Sequence, residues 1–146
     1  MNGFTIEIQS KKNLKQIGDK ILINLIKNKI KAKYQTFGKY IFLETSEKLK
    51  EDILKYRLYK SELSTEKKKD IFKTIKKLIN DIEEPANFAV KVSRKGEHRF
   101  TSTDLARDLA AAAFERWPKI NVNLNEPSLE INVQIINNRS MIYLRN

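Results

Sequence analysis

The 146-residue sequence contains no cysteine and a single histidine, His98. Without thiols there is no disulfide framework, no thiolate nucleophile and no cysteine metal site, which fits a reducing compartment. One imidazole cannot build a metal site by itself, and His98 has no serine and acid partner at a recognisable catalytic spacing. No GxxxxGK[ST] run occurs, so Gly96 does not belong to a nucleotide-hydrolysing phosphate loop. No apolar run approaches the roughly 18 residues of a membrane span, and "MNGFTIEIQ" is not a secretory leader. A cytoplasmic protein without metal or cofactor is expected. Acids are also in short supply: 18 Asp and Glu stand against 29 Lys and Arg, a net charge of +11. That imbalance favours polyanionic partners, nucleic acid first and anionic membrane second. The helical segment at 13–30 has no Trp-rich face, which disfavours the membrane.

What is present suffices for a core, with 40% hydrophobic residues. "GFTIEIQ" alternates Phe4, Ile6 and Ile8 against polar residues, as a strand does. From Asn13 to Ile30, Leu14, Ile17, Ile21, Leu22, Leu25, Ile26 and Ile30 recur at three and four, one face of a helix. "AKYQTFGKYIFLET" reads as two strands hinged near Gly38, and "SEKLKEDILKY" as a short helix behind Ser46. "RLYKSEL" completes the order strand, helix, two strands, helix, strand. That order suggests a ferredoxin-like α+β domain over residues 1–63.

A second domain is expected over 64–146. Ser64 or Thr65 caps a helix from Glu66 to Ile82 with a stripe of Ile71, Ile75, Leu78, Ile79 and Ile82. "NFAVKVS" alternates Phe88, Val90 and Val92 against Ala89, Lys91 and Ser93. A helix follows from about Ser102 to Trp117, where Pro118 stops it. Its stripe of Ala106, Ala110, Ala113 and Trp117 reads as core. "LEINVQI" and "RSMIYL" form a hairpin around Asn137 and Asn138, since asparagine tolerates positive φ.

Charge is spread unevenly. Residues 1–82 carry 20 basic against 10 acidic residues and residues 83–146 carry 9 against 8. Within the nearly neutral second part, Lys91, Arg94, Lys95 and Arg99 gather around Gly96 and His98 with only Glu97 to oppose them. Thr101 is placed to cap the following helix and Asp104 to sit at its third position. Free first-turn amides beside a cationic loop make an anion site, with Ser102 at its mouth. The plainer alternative is a strand-to-helix turn whose charges stay wet.

The run "NFAVKVSRKGEHRFTSTDLARDLAAAAFERWP" followed by "INVNLNEPSLEINVQIINNRSMIYL" resembles a THUMP domain. This module is found in tRNA-modifying enzymes, where a ferredoxin-like domain usually precedes it. The resemblance covers about residues 66–144 and rests on the order of the pieces. It implies binding of the tRNA acceptor stem and its 3′-terminal nucleotides. Carried onto this sequence, the contacts are Lys91, Arg94, Lys95, Gly96, His98, Arg99, Thr101 and Ser102.

Lys11 and Lys12 are candidate phosphate contacts of the first domain, as Lys67, Lys68 and Lys69 are near the start of the second. All five also fit a merely solubilising surface. Tyr34, Phe37, Tyr40, Tyr56 and Tyr59 suit base stacking or, more simply, sheet packing. Asp104 and Asp108 read as helix-start acids that pair with Arg107 or loop cations rather than as a catalytic pair.

The sequence runs two residues beyond Leu144, the expected end of the last strand, which leaves no room for a catalytic domain. A non-catalytic adaptor is therefore expected, and the resemblance to standalone THUMP proteins implies that it presents tRNA to an enzyme in trans such as a tRNA cytidine acetyltransferase. The alternative is the N-terminal part of a longer tRNA methyltransferase or 4-thiouridine sulfurtransferase.

Overall fold

In the computed structural model, which describes residues 1–9, 13–50 and 53–146, the chain forms two compact units, Met1–Ser61 and Glu62–Asn146. The architecture is α+β. Strands β1 (Asn2–Glu7), β2 (Ala32–Phe37) and β3 (Tyr40–Thr45), with the start of β4 (Tyr59–Thr65), build the first unit around helix α1 (Leu14–Lys27). The second unit holds α2 (Lys68–Ile79), β5 (Asn87–Lys95), α3 (Ser102–Arg116), β6 (Asn121–Val122), β7 (Leu129–Ile136) and β8 (Arg139–Arg145). No helix among the described residues is long and apolar enough to cross a membrane.

The first unit orders its strands β2-β3-β1-β4, antiparallel throughout. Asn13 caps α1, its side-chain oxygen accepting from the amides of Lys15 (3.0 Å) and Gln16 (3.4 Å). Ile17, Ile21 and Leu25 then meet Ile6, Ile41, Leu43 and Leu54 in the core. Gly38, at φ 58°, makes the β2–β3 turn where the hinge was expected.

The expected helix over 46–56 is absent from the described part of that segment. Its backbone is engaged elsewhere. Asn2 donates to the Glu47 carbonyl (3.2 Å), Thr45 Oγ1 accepts from the Glu47 amide (3.1 Å), and Asn24 donates to the Ile53 carbonyl (3.2 Å). Leu49, Ile53, Leu54 and Tyr56 pack on the core from this segment without a helical turn. The first unit thus keeps the strands of a ferredoxin-like sandwich without its second helix among the described residues.

In the second unit the strand order is β8-β7-β5-β6, with β5 parallel to both β7 and β6 and β7 antiparallel to β8. The helices cover one face. Ile71, Ile75, Leu78 and Ile79 of α2 join Leu105, Leu109, Ala112 and Ala113 of α3 over Phe88, Leu129, Ile131 and Val133. Each such aliphatic contributes about 1.5–3 kcal/mol on burial. The α2 start lies later than expected, because Thr65 Oγ1 bonds the Asp70 carboxylate (2.6 Å) and the Lys67 amide (3.2 Å) just ahead of the helix. In α3 the buried stripe is Leu105, Leu109, Ala112 and Ala113, whereas Ala106 and Ala110 are only half-buried. The two-residue β6 was not visible in the sequence.

Gly18 in α1 is a close-approach position, since a Cβ there would overlap the Tyr34 ring. That ring is held from its far end. Tyr34 Oη lies 2.7 Å from Asp19 Oδ1 and 3.0 Å from the Lys15 carbonyl, and its one proton can serve either acceptor. The hydrogen bond to Asp19, then desolvation, then the carboxylate charge raise the phenol above its usual pKa. Gly-to-Ala within a helix ordinarily adds up to about 1 kcal/mol. Here Gly18→Ala is expected to lose about 1–3 kcal/mol through overpacking. In a Tyr34→Ala background the same change should stabilise. Thermal unfolding of the four proteins reads this directly, and a Gly18→Ala midpoint at or above wild type would refute the contact.

Candidate nucleic-acid interface

β5 leaves the sheet at Lys95, and residues 96–101 turn the chain into α3. Gly96 has φ 108°, a conformation that side chains rarely adopt, and a Cβ there would stand 2.5 Å from Asn137 Oδ1. Asn137 is the turn residue of the β7–β8 hairpin and itself has φ 53°. Its amide donates to the Lys95 carbonyl at 2.9 Å. Its carbonyl accepts from His98 Nε2 at 2.8 Å. Because a carbonyl only accepts, the His98 proton sits on Nε2. His98 Nδ1 is buried without a hydrogen-bond partner, and the ring stacks on Phe100 with centroids 5.2 Å apart. The hairpin tip therefore clamps the loop on both sides of its glycine.

The clamp leaves three cations on the outside. Arg94, Lys95 and Arg99 are exposed, and among the described residues no carboxylate lies within ion-pair range of them. Lys91 is separated from this group: it lies back on β5 with its ammonium 3.4 Å from Glu130. Thr101 caps α3 as its sequence suggests, its hydroxyl accepting from the Asp104 amide at 3.1 Å. The Asp104 carboxylate turns to Arg107 at 3.4 Å. Asp108, expected near Arg107 or the loop, instead meets Lys68 of α2 at 3.2 Å.

That cross-helix contact places the start of α2 beside the loop. A cleft of about 690 Å³ is lined by Glu66, Lys67 and Lys68 on one side and Glu97, His98, Arg99 and Phe100 on the other. A second, of about 650 Å³, continues from Lys68 along Lys69, Phe72 and Lys73 to Arg107 and Asp108. Lys67–Lys69 and the loop were separate candidates in the sequence, and the fold brings them to one surface. Periodicity could not reveal this, because it assigns faces to α2 and α3 but not which of their ends meet.

The remaining candidates are less concentrated. Lys11 and Lys12 lie outside the described residues. Phe37 and Tyr59 are buried and Tyr40 and Tyr56 half-buried, so packing accounts for most of the aromatic set. Among the described residues no group of three or more His, Cys, Asp and Glu is placed to hold a metal ion.

Residues 66–145 match the THUMP domain family. The chain is 40% identical over 57 residues to a tRNA sulfurtransferase of Tolumonas auensis, covering 39% of this chain and 11% of that one. It is 31% identical over 78 residues to a tRNA (guanine(6)-N2)-methyltransferase of Archaeoglobus fulgidus, covering 50% of this chain and 20% of that one. It therefore spans a fifth or less of the length of these two relatives. The crystal structure of a 4-thiouridine synthetase in complex with RNA and ATP matches 99% of this chain and 41% of its own, with a TM-score of 0.71 at 12% identity. At that identity the likeness establishes a shared fold.

Gly96→Ala is expected to cost about 1–3 kcal/mol, from the strained φ together with the clash at Asn137. The His98 ring should also leave the hairpin, which its ¹⁵N resonances report. An unchanged midpoint with unchanged His98 resonances would mean that the clamp does not form.

Proposed function

We propose, from the premise that this chain belongs to the THUMP domain family, that it binds tRNA at the acceptor end and presents it to a modification enzyme. The observation that carries this reading is the cleft where Lys67 and Lys68 face Arg99, with Arg94 and Lys95 exposed at the end of the strand that feeds the loop. The cations of this cleft and of the adjoining strand end supply the charge that a phosphate backbone requires, and arginine can bind phosphate oxygens in pairs. In this reading Arg94, Lys95, Arg99, Lys67 and Lys68 take phosphates. Ser102 and Thr103, whose amides open α3, receive a further phosphate oxygen. Gly96, His98 and Thr101 hold the loop in shape, and Lys91 adds charge from the strand.

The role proposed is positional. Fixing the 3′ end at this surface sets the distance from which another active site reaches its target nucleotide, and the chain itself performs no chemical step. A tRNA cytidine acetyltransferase acting in trans is the partner we favour, by the resemblance to THUMP proteins that assist one. A second reading has its own support. The sulfurtransferase and methyltransferase relatives match over only 11% and 20% of their lengths, the pattern expected of a tRNA-binding portion of a longer enzyme.

Binding to tRNA should weaken steeply with salt, since each phosphate contact releases counterions. Replacing Arg94, Lys95 and Arg99 together by Ala should lower the log–log salt slope by about 2, at roughly 0.7 per single-strand phosphate. Replacing Lys67 and Lys68 should lower it by about 1.4 on the same scale. Removing the 3′ single strand should cost much of the affinity, while anticodon changes should cost little. Equal binding of trimmed and intact tRNA would overturn the acceptor-end reading. For the partner, loss of the gene should remove N4-acetylcytidine from tRNA; loss of a methylated or thiolated base instead would favour the second reading.

A further inference from the structure

A second surface of the same unit runs along the flank of α3, adjoining the cationic clefts at Arg107 and at Ser102 and Thr103, and its chemistry is different. β6 pairs with β5 only at Asn87 and Phe88. The Phe88 carbonyl accepts from the Asn123 amide at 2.9 Å, so Phe88 faces the β6 edge. In a strand the backbone groups of successive residues point to opposite edges, so Val90, Val92 and Arg94 face that same edge. Ala89, Lys91, Ser93 and Lys95 face β7, as the bond from the Asn137 amide to the Lys95 carbonyl requires. Beyond Phe88 this edge has no strand partner among the described residues. It presents alternating N–H and C=O groups at a spacing of about 6.6 Å.

Alongside that edge runs a groove of about 550 Å³ between β5 and α3. Val90 and Val92 form one wall, Ala106, Ala110 and Phe114 the other, and Leu124 closes it. The large apolar side chains exposed in this unit, Phe114, Val122 and Leu124, all lie here. The charged residues lining it, Lys91 and Arg107, are both cations: Arg107 makes an exposed pair with Asp104, of the weak kind, and Lys91 pairs with the largely buried Glu130.

We propose that this edge and groove bind an extended, acidic and apolar segment of a partner protein by strand addition to β5. Main-chain hydrogen bonds to Val90, Val92 and Arg94 would supply register, and alternate apolar side chains would enter the groove. Acidic residues between them, on the face away from α3, meet Lys91, and one at the groove's α3 rim meets Arg107. A second copy of this chain is a poor occupant, because pairing two β5 edges sets Lys91, Arg94 and Lys95 against one another. A phosphodiester strand lacks the regular N–H donors that the Val90 and Val92 carbonyls need. The proposal stands independently of the tRNA reading.

The test uses the full chain and a pool of capped decapeptides alternating Glu or Asp with Val, Ile or Leu. The pool should slow amide exchange at Val90, Val92 and Arg94 about tenfold or more, leaving Lys91 and Ser93 unchanged. N-methylating alternate peptide amides should weaken binding about tenfold, the worth of roughly one lost hydrogen bond. Val92→Pro removes an edge N–H without touching the β5–β7 ladder and should abolish the protection. Ala110→Phe, which fills the groove without altering the edge, should do the same even if Val92→Pro folds poorly. No protection by the pool, or equal binding of the N-methylated peptides, overturns strand addition. Protection of these amides by tRNA alone assigns the surface to RNA instead, and protection that grows with protein concentration alone assigns it to a second copy.

Discussion

The contact between Gly96 and Asn137 is the constraint from which the cationic surface follows. Two residues with positive φ, one leaving β5 and the other turning β7 into β8, pack against each other. Their backbones are bridged by the bond from Asn137 to Lys95 and by the His98 ring. A side chain at position 96 would separate them. With them together, the loop has one route into α3 and its basic side chains are left on the outer side. The lone histidine that composition ruled out as a metal centre is thereby given a task, as a donor to a hairpin carbonyl.

Pairing then decides which cations remain available. Net charge counts every lysine and arginine alike, but the fold gives Lys91 to Glu130, Lys76 to Glu115, Lys77 to Glu62 and Arg107 to Asp104. The exposed pairs among these contribute little to stability, about 0–1 kcal/mol each. Their larger effect is to neutralise the sheet and helix flanks. Unpaired charge collects at the loop, on Arg94, Lys95 and Arg99. The Lys68–Asp108 pair, like Lys76–Glu115, joins α2 to α3, and it does so where the two basic clefts meet.

Much of this was legible from local pattern. Periodicity located α1, β5 and β7, whose buried stripes leave their period in the sequence; α3 was placed with a stripe in which Ala106 and Ala110 prove only half-buried, and β8, buried on both faces, by the turn before it. Thr101, Gly38 and Asn137 marked ends and turns through backbone chemistry that needs no tertiary information. What stayed hidden depends on partners distant in sequence. The helix expected after Ser46 lost backbone groups to Asn2 and Asn24, which no local window weighs, as well as to the neighbouring Thr45. The joining of Lys67 and Lys68 to the loop depends on how α2 and α3 cross. The separation of Lys91 from its neighbours depends on Glu130, thirty-nine residues away and one strand over.

Helix α3 organises both surfaces of the second unit through the sizes of its side chains. Leu105, Leu109, Ala112 and Ala113 turn inward and fix the helix on the sheet, with Trp117 closing the end. Ala106 and Ala110 lie one position further round, at the border of that stripe. Alanine there has too little bulk to cover the exposed β5 edge, which is why a groove rather than a sealed core lies between strand and helix. A leucine at either position would extend the stripe and bury the edge. Large residues would serve stability better at both sites, so the alanines trade buried area for an open surface. The start of the same helix faces the cationic loop. One rigid element thus carries a polar, phosphate-suited surface at its N-terminus and an apolar, strand-suited one along its flank, with Lys91 and Arg107 between them.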